Sequence, residues 1–172
     1  MNSTKRPGGS PGFLLAQVGG HAAAKFAERL APLKLTPADA GILRLLHTLP
    51  GTSQQELAGK LSIHPSRLVA LLDALEKRAL LERRPNPNDR RQYSLHLASA
   101  GIALLQDVGR IAREHQDALL KALSSEERDH LTELLKKIAD EQGLILGVHP
   151  GYRWMKSERA GRPSSLSKKP EI

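Results

Sequence analysis

The sequence predicts a mainly α fold carrying one small β-hairpin, and three observations point there. Aromatic residues make up only 3% of the 172 residues, so the core is built from Leu, Ala, Ile and Val, which suits packed helices better than a sandwich or barrel. Apolar residues recur at helical spacing along most of the chain, the mark of amphipathic helices. Only between residues 81 and 97 does the pattern change, to two short strand-like runs around a Pro-containing turn. The length, with 40% hydrophobic residues, suits one compact domain.

Residues 1–12 are rich in Gly, Pro and Ser with Lys5 and Arg6, and read as a flexible basic arm because nothing apolar is available for burial. Phe13, Leu14, Val18, Ala22, Phe26 and Leu30 then define a first helix over 13–31, stopped by Pro32. Thr36-Pro37 supplies an N-cap and a first-turn proline for a second helix, which Pro50-Gly51 ends. Ser53 and Glu56 form an S-x-x-E capping box that opens a third, short helix. Ser62-Ile63-His64 is a three-residue turn, and Pro65 opens the next helix at its tolerated first position. This is helix-turn-helix spacing.

In the second helix of that pair, Leu68, Leu72, Leu75 and Ala79 form the predicted inner stripe, leaving Ser66, Arg67, Ala70, Asp73, Ala74 and Lys77 outside. A helix entering a major groove about 12 Å wide needs small residues for close approach and donors near its N-terminus. Ser66, Arg67 and Ala70 meet those needs. Residues 81–84 and 91–97 read as antiparallel strands, with Tyr93, Leu95 and Leu97 expected on one face. A hairpin directly after a helix-turn-helix is a wing. Arg83, Arg84, Arg90 and Arg91 crowd its tip, where their mutual repulsion becomes favourable only if phosphates or a narrow, negative minor groove accept them. Asp89 is available to orient one of them. The fold class expected is therefore a winged helix-turn-helix over 53–97.

Residues 100–123 form a further long helical stretch, and a second S-x-x-E box, Ser124 and Glu127, opens a last helix through Leu134, Leu135 and Ile138 to about Leu146. These helices are too apolar to stand alone. Residues 148–172, with Trp154, read as a basic, flexible tail.

The formal charge is +8, and its distribution is polarised. Residues 53–97 hold 8 basic and 5 acidic side chains and residues 148–172 hold 6 and 2, whereas residues 98–147 hold 6 and 9. A basic lobe and basic tails against an acidic helical segment imply a polyanionic partner at one surface. With 0 cysteines, disulfides and thiolate metal sites are excluded. The seven histidines stand singly, without metal-ligand spacing. No phosphate loop, nucleophile elbow or catalytic triad pattern is present, so neither an enzyme nor a resident cofactor is expected. No apolar run reaches the roughly 20 residues that span a bilayer, and a cytoplasmic location is expected.

The run Asn86-Pro87-Asn88-Asp89-Arg90-Arg91 followed by Leu95-His96-Leu97 resembles the D-x-R wing signature of MarR-type transcriptional regulators. Leu35-Thr36-Pro37, Gln55-Glu56-Leu57-Ala58, Leu75-Glu76-Lys77 and Leu81-Glu82-Arg83 resemble the family as well, over roughly residues 13–147. The sequence departs from the family pattern in three places: Ala79 where a left-handed glycine is usual, Ala98 where threonine is usual, so that Ser99 would have to cap the next helix, and Asn86 where an acid is common.

The resemblance implies that Ser66 and Arg67 contact bases or nearby phosphates, that Arg91 enters the minor groove and that Asp89 holds the wing arginines. Arg83, Arg84 and Arg90 would contact phosphates, with Ala70 and Lys77 on the same DNA-facing side. It also implies that helices 13–31 and 98–147 pair with those of a second subunit, giving a homodimer on a pseudo-palindromic double-stranded operator. A self-contained helical bundle is the alternative. An effector pocket is implied where the first, second and fifth helices meet the winged lobe, often suited to aromatic anions, and His21, Arg44 and His115 are the polar candidates near it. The mechanism expected is repression relieved by a small molecule.

Overall fold

The computed structural model describes residues 9–86, 93–145 and 147. Ser10 caps α1 (Pro11–Leu30) by accepting from the Phe13 N–H at 3.4 Å, so the helix begins two residues before the first apolar position from which it was predicted. A 3-10 turn (Ala31–Leu33) leads to α2 (Pro37–Thr48), whose Thr36 and Asp39 cap each other's backbone N–H. Then come α3 (Gln54–Leu61), α4 (Pro65–Lys77), β1 (Leu81–Pro85), β2 (Tyr93–Leu97), α5 (Ser99–Leu119) and α6 (Ser125–Glu141). Among the described residues the chain is mainly helical with one β-hairpin, in a winged helix-turn-helix arrangement flanked by N- and C-terminal helices.

The core lies under the wing and helix-turn-helix. Leu43, Leu46, Leu57, Leu68, Leu72 and Leu95 are all but fully buried there. β1 and β2 pair antiparallel with Arg83 opposite Leu95 and Arg84 opposite Ser94. A third partner flanks β2, because the Gly51 N–H donates to Leu95 O at 2.9 Å and the Leu95 N–H to Thr52 O at 3.0 Å. That extra edge corrects the expected alternation. Tyr93 is exposed while adjacent Ser94 and Leu95 are both buried, since β2 is the central strand and is covered along one side by the 51–53 segment.

The exit of α4 also differs from the predicted stripe. Ala79 lies beyond the helix, exposed and left-handed at φ 54°, with the Leu80 N–H donating to Leu75 O and the Ala79 N–H to Glu76 O. This is a Schellman closure built on alanine, so the departure from glycine is met by strain and not by a different exit. A left-handed L-residue costs about 1–2 kcal/mol, part of which a glycine returns through unfolded-state entropy. Ala79→Gly is therefore expected to stabilise the fold by about 0.5–1 kcal/mol in urea unfolding; a loss of stability would contradict the left-handed assignment.

Two further boundaries are corrected. Ser99 does not cap α5. Ala98 holds the N-cap position with no side-chain bond, and its own N–H donates to Leu80 O at 3.1 Å. The last helix stops at Glu141, short of Leu146, because Gly143 turns left-handed at φ 61° and lets the Leu144 N–H reach Ala139 O at 2.9 Å. α1 buries only Leu30 and α6 buries no residue, leaving Phe13, Leu14, Val18, Leu134, Leu135 and Ile138 exposed.

Candidate nucleic-acid interface

The start of α4 is fixed by short-range chemistry. The Ser53 N–H donates to Glu56 Oε2 at 2.9 Å and the Glu56 N–H to Ser53 Oγ at 3.2 Å, which starts α3. The Ser53 backbone N–H, and after it the Ser53 hydroxyl, which donates to Glu56 Oε2 at 3.0 Å, hold the Glu56 carboxyl below its ordinary pKa. Ser62, left-handed at φ 53°, ends α3, and His64 caps α4. Its Nδ1 accepts from the Ser66 N–H at 3.4 Å and lies 2.8 Å from Ser66 Oγ. The cap holds the Ser66 hydroxyl at the helix start, where a recognition helix meets base edges.

The outward face of α4 carries Ser66, Ala70, Asp73, Ala74 and Lys77, all exposed. Arg67 sits at its edge, half-buried. Val69 is exposed on the same side and was missed in the sequence, because an apolar residue there reads as core unless the spacing Ser66, Val69, Asp73 is followed around the helix. An outward valine offers apolar contact to a thymine methyl group.

The basic residues of the lobe separate into two kinds. Arg84 is exposed toward the tip end of β1, with a salt bridge to Glu82. Arg78 caps backbone carbonyls instead, donating to Lys34 O at 2.7 Å and Leu33 O at 3.1 Å. Arg83, expected at a phosphate, turns inward. Strand alternation puts it on the same face as buried Leu81 and opposite buried Leu95, where Asp73 and Glu76 of α4 take up its guanidinium. Asp89, Arg90 and Arg91 lie outside the described residues.

A cavity of about 390 Å³ lies between α1, α2 and α5, lined by Phe26, Ala40, Gly41, Arg44, Leu105 and Val108 among others. Of the three polar candidates only Arg44 lines it, and its guanidinium donates to Gly147 O. His115 stacks behind the wall against Phe26, ring centroids 5.4 Å apart. Burial, then the charges of Arg29 and His21, push the His115 pKa down. His21 is exposed on α1. Among the described residues, no three His, Asp or Glu side chains form a metal cluster, and no helix is long and apolar enough to cross a membrane.

The MarR family model matches residues 35–93, which span α2, the helix-turn-helix and the start of β2. A relative from Thauera aromatica, described as a regulatory protein for the hcr operon, is 34% identical over 105 residues, covering 60% of this chain and 63% of its own. The multiple antibiotic resistance protein MarR of Escherichia coli is 33% identical over 113 residues, 64% of this chain and 78% of that one. Among solved structures, the transcriptional repressor CouR bound to a 23-mer DNA duplex superposes with a TM-score of 0.70 at 35% identity, covering 79% of this chain and 99% of CouR. Such regulators carry out no catalysis, in keeping with a site whose polar groups face outward from a helix and a wing. On this sequence, this fold and these relatives, the chain belongs to the MarR family of winged helix-turn-helix transcriptional regulators.

Proposed function

We propose that the protein is a homodimeric repressor that occupies a pseudo-palindromic operator and leaves it when a small apolar acid binds. The observation that carries this reading is the exposed face of α4, with Ser66, Val69 and Ala70 toward its N-terminal half and Lys77 at its end. Small side chains there allow groove entry, and the hydroxyl and methyl groups match base edges. Arg91 inserts into the minor groove beside it, oriented by Asp89, while Arg84 and Arg90 take phosphates and Arg67 reaches the backbone or a base from the edge of α4. The repressor CouR, seen on a DNA duplex, supports the same docking for this chain.

Dimerisation is supported by the uncovered apolar faces of α1 and α6. The effector is an aromatic anion, since the cavity is walled by Phe26, Leu105 and Val108 with the Arg44 guanidinium as its cation. Gel-shift titration against an operator duplex selected in vitro from a random pool tests the reading. Arg91→Ala is expected to weaken binding about 10-fold and reduce the salt slope by about one. Benzoate is expected to release the wild-type complex and not one formed by Arg44→Ala. Unchanged affinity in Arg91→Ala would remove the wing from the interface, and indifference to benzoate would remove the effector class.

A further inference from the structure

Arg83 differs from neighbouring Arg84 in burial and in its company. Its side chain is 17% exposed, against 58% for neighbouring Arg84. Nη2 donates to Asp73 Oδ1 at 2.6 Å and lies 3.4 Å from Gln54 Oε1, while Nη1 donates to Glu76 Oε2. The Arg83 backbone N–H donates to the other Glu76 oxygen at 3.3 Å. One cation therefore sits between two carboxylates, and the cluster as a whole is negative. A guanidinium so occupied offers a phosphate neither a free fork nor a positive field.

The partners come from three elements. Gln54 opens α3, Asp73 and Glu76 stand one turn apart on α4, and Arg83 is the third residue of β1. We propose that Arg83 is a positioning residue that fastens α3, α4 and the wing into one reading unit, setting the angle at which helix and wing meet the duplex. This rests on the DNA-binding reading above and replaces the phosphate contact expected of Arg83. Asp73 is 58% exposed on the outward face of α4, where an unpaired carboxylate would repel the DNA backbone. Arg83 neutralises it from behind. Lysine cannot substitute, because a point charge on a flexible stem does not hold two carboxylates and an amide in a fixed plane.

The test compares affinities for the selected operator duplex and for a scrambled duplex across a range of salt concentrations. Arg83→Gln and Arg83→Lys are both expected to lower the operator-to-scrambled ratio by about 30-fold, the size of a coupling between contacting charged groups. The salt slope on the scrambled duplex should stay at the wild-type value. Asp73→Asn should lower the ratio too, and adding Arg83→Gln to it should cost little more, since both changes undo one tie. Arg84→Gln serves as the contrast, with a slope smaller by about 0.9 and an unchanged ratio. The ratio compares two affinities of one sample, so a misfolded fraction does not move it. A slope loss in Arg83→Gln that Arg83→Lys restores, or a ratio unaltered in both, overturns the proposal. Wild-type protein that binds neither duplex would instead defeat the parent reading and this inference with it.

Discussion

Gly101→Ala is expected to destabilise the fold by about 3 kcal/mol, at the upper end of what overpacking a core ordinarily costs. A Cβ at Gly101 would stand 2.0 Å from Leu80 O and 3.0 Å from Leu80 C. Both are backbone atoms in a turn that cannot swing aside. The Leu80 N–H is spent on Leu75 O and its carbonyl accepts from the Ala98 N–H, so Leu80 joins the end of α4 to the start of α5. Relief requires either helix to shift. A shift there moves the reading helix against α5, and operator affinity should fall along with stability. Urea unfolding checks the first effect, and a loss below about 1 kcal/mol would mean that the two backbones do not approach as the structure has them.

Much of this fold was legible because its boundaries are set by local chemistry. Thr36-Pro37, the boxes at Ser53-Glu56 and Ser124-Glu127, and Pro65 begin their helices where the sequence places them. Each cap depends on residues within one turn. The failures arise where a distant backbone decides. Ala98 needs no side-chain cap because its N–H meets Leu80 O, a contact across the wing that no window of sequence displays.

The same division holds in the site. The outward face of α4 followed from helical spacing, and the exposed positions of Ser66, Ala70 and Lys77 agree with it. Counting arginines overstated the charge offered to a polyanion, because Arg78 serves backbone carbonyls and Arg83 serves Asp73 and Glu76. The signal for Arg83 was present, two residues after a buried leucine on a strand, but its partners lie on another element and become visible only in three dimensions. His21 and His115 were chosen for nearness to the cavity, yet only Arg44 lines it, since the direction of a side chain around α1 or α5 depends on how those helices roll against each other.

The second large effect concerns assembly. Leu134→Glu with Ile138→Glu is expected to convert the protein to a monomer and lower operator affinity by at least about 100-fold, with the protomer's own fold retained. These side chains, four residues apart on α6, are 43% and 46% exposed, and α6 buries nothing within the protomer. Two carboxylates there disturb no core. In a two-fold dimer each position occurs twice, and covering the exposed part of four such side chains is worth roughly 3–5 kcal/mol, while four buried carboxylates in their place would oppose association outright. A monomer meets one half-site and loses half of its phosphate contacts, together with their counterion release. Sedimentation equilibrium separates the possibilities, because a self-contained bundle predicts a wild-type monomer whose state these substitutions leave alone. If the variant still sediments as a dimer and still binds the operator at full strength, the apolar face of α6 has no part in joining two subunits.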